Sequence, residues 1–208
     1  RDIGVDFLSY GDRQIPDTPF PGWHWETCMT LNHSWGYTAS DHNWKTPATV
    51  IRQLVEVTSK GGSFLLNVGP TAEGEIPAES VAILGQVGQW LKVNGEAIYG
   101  AGPVAIKDSA VAQNIPKARK KGAANRAGAS IADWLATGRP GRSYIHLFTW
   151  PESPLVLRGI EAQVAQIHLL ADPARGSIKF SQSGDTLTVQ LPEKALDDKD
   201  TVLCLILK

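Results

Sequence analysis

Sulfur is scarce in this sequence. Two cysteines, Cys28 and Cys204, stand far apart in a chain of 208 residues, with a single methionine. They form no CxxC pair and no metal-ligand spacing, which excludes a disulfide framework and a thiolate zinc site. An excess of one charge is also lacking: 20 Lys and Arg stand against 21 Asp and Glu, a net charge of -1. That balance supplies no field for nucleic acid or for an anionic membrane. The one basic run, "KARKKGAANR" from Lys117 to Arg126, has no aromatic residue to stack a base and reads as a solvated loop. No apolar stretch reaches the ~20 residues of a membrane-spanning helix. Walker loop, GxGxxG fingerprint, GxSxG elbow and HExxH pair are all missing.

What is present divides into two grammars. Hydrophobic residues at 42% and charged residues at 20% are ordinary globular values, and the length suits one or two domains. Residues 1–102 alternate strand-like and helix-like stretches, which predicts an α/β domain with a parallel sheet. In "TPATVIRQLVEVTSKGG", Thr46 is placed as an N-cap and Pro47 as the first helical residue, and Gly61 and Gly62 end the helix. Apolar residues recur at helical spacing through Val50, Ile51, Leu54, Val55 and Val57. "SFLLNVGP" follows as an apolar strand of the kind buried on both faces. A second helix opens at Pro77 and places Val81, Leu84, Val87 and Leu91 on one side, with Gly95 past its end.

Residues 103–208 read as a linker and an antiparallel β-sandwich. "SYIHLFTW", "PLVLRG", "AQIHLLAD", "SIKFSQSG", "TLTVQLP" and "TVLCLILK" are short strands separated by Pro, Gly and Asp, with a hairpin at Gly184 and Asp185. The stretch from Lys107 to Arg142 reads as irregular. Trp90, Trp134 and Trp150 read as core residues, and Cys28 beside Met29 as a small buried hydrophobe.

The chemistry-bearing segment is "WHWETCMTLNHSWGY", residues 23–37. It gathers three tryptophans, a tyrosine, two histidines and a glutamate. Sugars present hydroxyl edges and apolar C–H faces, so their sites combine carboxylates with aromatic platforms. Glycoside cleavage needs paired carboxyl groups, one to protonate the leaving oxygen and one to act at the anomeric carbon. Asp2, Asp6, Asp12 and Glu26 are the acids near these rings. His24, His33 and His42 recur every nine residues, which is no ligand spacing, and they read as hydrogen-bonding groups with no metal. "LLNVGPTAEGEIP" carries Asn67 at the end of a strand, where α/β barrels place functional groups, while Glu73 and Glu75 read as solvated.

Three blocks, "WETCMTLNHSWGY", "LVEVTSKGGSFLLNVGPTAEGEIP" and "GQWLKVNGEAIYG", resemble the C-terminal part of an α-L-fucosidase of glycoside hydrolase family 29. The resemblance implies the last strands and helices of a catalytic (β/α) barrel in residues 1–102, then the family's β-sandwich domain. It implies retaining hydrolysis of α-L-fucosides from glycans, without metal or organic cofactor, in a secreted, periplasmic or lysosomal setting. The family's nucleophilic aspartate falls on an earlier strand, upstream of Arg1, so these residues alone are expected to be inactive. Asp12 in "YGDRQIP" stands where the family carries its acid/base, commonly as Glu, and Glu26 is the rival. Trp35 matches an aromatic that packs on the C6 methyl of fucose. Arg1 matches a sugar-binding arginine, and Trp25 and His24 are wall residues. The alternative from another class is a non-catalytic carbohydrate-binding protein on the same scaffold.

Overall fold

The computed structural model describes residues 6–18, 20–104, 134–151 and 154–208. The chain divides into two compact units, Arg1–Pro103 and Val104–Lys208.

In the first unit, strands β1 (Leu8–Ser9), β2 (Trp25–Thr30) and β3 (Gly62–Asn67) form a parallel sheet in that order. Helix α1 (Pro47–Ser59) lies between β2 and β3 in sequence, and α2 (Ala78–Asn94) follows β3. The α1 start is as expected: the Thr46 hydroxyl accepts the Thr49 N–H at 3.1 Å, and Pro47 gives up no hydrogen bond by opening the helix. Val50, Ile51, Val55 and Val57 are buried, and α1 packs on both β3 and α2.

Two packing expectations fail. The buried face of α2 runs through Ser80, Ile83, Val87, Trp90 and Asn94, while Val81 and Leu84 are exposed. Apolar residues surround this helix almost completely, so periodicity alone leaves its phase open; the Trp90 indole takes the inner side. Nor is β3 buried on both faces, since Leu65 is 53% exposed. Trp25, Thr27 and Met29 of β2 are buried on one face of the sheet; Glu26 and Cys28 lie on the other, with Cys28 paired to Leu65.

The second unit is antiparallel. Strands β4 (Trp134–Arg139), β5 (Arg142–Leu147), β7 (Val164–Leu169) and β10 (Thr201–Leu207) form a sheet ordered β4-β5-β10-β7. Strands β6 (Leu155–Leu157), β8 (Phe180–Ser183) and β9 (Thr186–Val189) form a second, ordered β6-β9-β8. Both sheets feed one hydrophobic cluster that includes Ile145, Leu157, Ile167, Leu187 and Leu203. The hairpin at Gly184 and Asp185 is present, with Ser183 opposite Thr186.

Residues 105–133, most of the stretch read as irregular, lie outside the described residues, but its end forms β4. A two-residue turn through Pro140 and Gly141 (φ 75) joins β4 to β5. Trp90 and Trp134 are buried, and Trp150 packs partly buried against the cluster. Among the described residues, no helix is long and apolar enough to cross a membrane.

Candidate active site

Because β1, β2 and β3 are parallel, the loops that leave their C-terminal ends lie at one edge of the sheet. The loop after β1 carries Asp12, the loop after β2 carries Trp35, and Asn67 closes β3. Asp12, Cys28, Trp35, Leu65 and Asn67 line an open cleft of ≈ 410 Å³. That volume falls within the range of about 300–1,000 Å³ usual for small-molecule sites.

Each wall is held by identifiable bonds. In the Asp12 loop, the Arg13 N–H donates to the Cys28 carbonyl at 2.9 Å and the Gln14 N–H to the Gly11 carbonyl at 3.0 Å. The Thr27 hydroxyl donates to the Gln14 carbonyl. Lys60, itself buried, donates to the Pro16 carbonyl at 2.8 Å and to Glu56 at 2.7 Å. Arg13 has φ 58, a left-handed conformation uncommon outside glycine, and such residues gather at functional sites. Its guanidinium lies 5.6 Å from the Trp35 ring centroid and donates to the His33 carbonyl at 3.0 Å. Arg13 therefore joins the carboxylate loop to the aromatic loop.

The Trp35 loop is closed at its base by Lys45, whose N–H donates to the Leu31 carbonyl at 2.8 Å and whose ammonium donates to the Thr30 carbonyl. Burial first, and then the charge of Arg13, hold the Lys45 ammonium below its ordinary value. Within the loop, Asp41 gathers four donors. One carboxylate oxygen accepts the His33 N–H at 3.0 Å and the Ser34 hydroxyl at 2.8 Å; the other accepts the Asn43 N–H at 3.1 Å and its amide at 3.4 Å. Desolvation pushes this carboxyl up, but the hydrogen bonds from Asn43, Ser34 and His33 outweigh it and hold Asp41 below its ordinary value. The Asn67 amide donates to the Trp35 carbonyl at 2.7 Å. Gly69 lies so close that a Cβ there would sit 2.8 Å from the Gly36 carbonyl carbon and 2.9 Å from the Tyr37 nitrogen. Gly69 thus does more than turn the chain: it lets two loops touch.

Among the residues singled out in the sequence, Asp12 and Trp35 share the cleft. Glu26 does not line it; it is the second residue of β2, roughly 13 Å from that strand's C-terminal end at ~3.3 Å per residue. Trp25 is 2% exposed on the opposite face, where its indole N–H donates to the Lys60 carbonyl at 3.1 Å, and its place is in the core rather than in the cleft wall. His24 precedes β2 at the far end of the strand and is exposed. Arg1 and Asp2 lie outside the described residues, and Asp6 is exposed.

Cys28 corrects the reading of a buried hydrophobe. Its thiol is half-buried in the cleft and donates to Asp12 Oδ1 at 3.2 Å. Sequence reasoning also missed Arg13 and Asp41, whose only signal was a polar residue inside a loop rich in turn formers. Glu73 and Glu75 are exposed as expected. Among the described residues, no group of three or more His, Cys, Asp and Glu gathers to hold a metal ion.

A second arrangement looks catalytic and is not. Thr137 Oγ1 lies 3.0 Å from His146 Nε2, and His146 Nδ1 lies 2.6 Å from Asp200 Oδ2. All three residues are 0% exposed, so no substrate reaches the hydroxyl, and the chain of bonds ties β4, β5 and the start of β10 together.

A carboxyl group and an indole sharing a cleft at the C-terminal edge of parallel strands is a combination suited to a sugar. The family model described as Alpha-L-fucosidase matches residues 2–96. Plasma α-L-fucosidase of Rattus norvegicus is 45% identical over 96 residues, covering 45% of this chain and 21% of that protein. The Homo sapiens plasma enzyme is likewise 45% identical over 96 residues, covering 45% of this chain and 20% of its own length. The solved α-L-fucosidase isoenzyme 1 of Paenibacillus thiaminolyticus is 34% identical with a TM-score of 0.78, covering 98% of this chain and 45% of that one. The chain therefore spans about a fifth of the curated relatives it matches.

Proposed function

We propose that the protein carrying this chain is an α-L-fucosidase that hydrolyses α-L-fucosides of glycans with retention, and that Asp12 is its acid/base. The observation that supports this best is that Asp12 and Trp35, drawn from loops after different strands, line one cleft. In this reading the parallel sheet is the closing part of a (β/α) barrel, and the antiparallel unit is the sandwich domain that follows it. The assembled protein works outside the cytosol, in a secreted, periplasmic or lysosomal setting.

The chemistry follows from the groups in place. Fucose is a deoxysugar with a methyl at C6, and the Trp35 ring offers that methyl an apolar wall. Arg13, stacked beside Trp35, and Asn67, bonded to its carbonyl, keep the ring from turning away. Asp12 in its protonated form gives its proton to the glycosidic oxygen as the C–O bond breaks; as the carboxylate it then takes a proton from the water that releases the sugar. Retention requires a nucleophilic carboxylate about 5–5.5 Å from Asp12. The resemblance assigns it to an aspartate upstream of Arg1. Glu26, low on β2, is left to the body of the sheet.

The test is hydrolysis of a glycan-type α-L-fucoside by the full-length protein and two variants. Asp12→Asn is expected to lower kcat/KM by about 10²–10⁴, the usual contribution of a general acid. Glu26→Gln is expected to stay within a few-fold of the parent. The reverse order would move the acid/base role to Glu26. A folded parent that binds fucose without turnover would leave the carbohydrate-binding reading in its place.

A further inference from the structure

We propose that Cys28 is a positioning residue for Asp12: its thiol holds one carboxyl oxygen so that the other is presented to the glycosidic oxygen. The inference rests on Asp12 being the acid/base. A general acid must be held within about 0.5 Å of its productive place, yet Asp12 belongs to an exposed loop and its side chain turns about two bonds. Among the described residues, the hydrogen bond from Cys28 Sγ to Oδ1, at 3.2 Å, is the side-chain tie on this carboxyl.

Cys28 grips the loop twice. Its carbonyl accepts the Arg13 N–H at 2.9 Å, which supports the left-handed turn beside Asp12, and its thiol reaches the carboxyl itself. The backbone bond survives any substitution at this position, so a change of side chain removes the thiol contact alone. The thiol faces the open cleft, so its loss leaves no closed void in a core. Two effects keep it a donor: the bond to Asp12 first, and desolvation second, hold the thiol above its ordinary value, so it stays protonated at neutral pH. The thiol keeps its proton throughout; the proton that moves to the leaving oxygen is that of Asp12.

The test compares kcat/KM for two substrates in the full-length protein. One is an alkyl α-L-fucoside, whose leaving group needs protonation. The other is a 2,4-dinitrophenyl α-L-fucoside, whose leaving group departs as the anion. Cys28→Ala is expected to lower the alkyl value about five- to tenfold, the loss of one hydrogen bond. The dinitrophenyl value should stay within about twofold. Cys28→Ser, whose hydroxyl also donates, should recover most of the alkyl value. Equal losses on both substrates, or no loss on either, would overturn the positioning role. Asp12→Ala run alongside keeps the two ideas apart. If it too shows no dependence on the leaving group, the assignment of Asp12 fails and takes this inference with it. If it shows a strong dependence and Cys28→Ala shows none, only the inference fails.

Discussion

Trp35 owes its place to residues that never touch the sugar in this account, Asp41 above all. Four donors converge on that carboxylate from His33, Ser34 and Asn43, and no single spacing in "HSWGYTASDHN" announces it. The folded-state pKa of Asp41 is lowered. Its contribution is therefore complete above the ordinary aspartate value of about 3.9, and it is lost as the pH falls through the lower folded value. The His33 and Asn43 amide resonances, whose N–H groups donate to this carboxylate, are accordingly expected to hold steady down to about pH 4 and to move together below it. Asp41→Asn should abolish that joint movement. A midpoint above the ordinary aspartate value would mean that these bonds do not favour the ionised form.

The same scale shows why some of the site was legible and some was not. Asp12 and Trp35 lie in blocks whose residue types already suggest sugar chemistry. The partners that hold them are 8 to 32 positions away in sequence, as in Cys28 to Asp12 or Asn67 to Trp35, and only the folded chain brings them together.

At the scale of elements, α1 was legible because its start is chemical: Thr46 caps, Pro47 opens, and both do so in the structure. The phase of α2 was not, since apolar residues on nearly every side leave the choice to the neighbours it packs against. Strand β4 escaped for a different reason. Its "WLATGR" has one large apolar residue at each of two positions and then small or polar ones, and its burial comes from pairing with β5 rather than from its own pattern. Leu65 of β3 belongs to an apolar run, but its side of the sheet is the cleft.

The contact of the β3 loop with the Trp35 loop also belongs to this scale. A methyl at Gly69 would meet backbone atoms, which cannot swing aside as a side chain can. Gly69→Ala is expected to displace residues 35–37 and weaken binding of a fucose-like inhibitor, by up to about 10² if the shift approaches 1 Å. Unchanged inhibitor affinity in a folded variant would show that the close approach has no bearing on the site.

At the scale of the whole molecule, two units with different grammars were readable from composition and periodicity, because alternating helices and strands give way to short strands around position 103. The buried polar centre of the second unit was not readable. His146 and Asp200 are 54 positions apart and meet through the pairing of β5 with β10. Asp200→Ala takes the hydrogen-bond partner from a fully buried imidazole nitrogen, and the cost expected is about 1–3 kcal/mol. Thermal or urea unfolding of the full-length protein, followed through the His146 ring resonances, checks it. A loss below 1 kcal/mol would show that the pair behaves like a surface contact.

In the proposed reading, a carboxyl on the loop after β1 performs proton transfer in a retaining fucosidase. Its most direct measurement is the product formed by full-length Asp12→Ala from an activated aryl α-L-fucoside in the presence of azide. The account predicts restored turnover and an α-L-fucosyl azide, because azide takes the place of water in the second step without needing a base. A β-configured azide would make Asp12 the nucleophile, and no azide product from a folded variant would remove Asp12 from the chemistry.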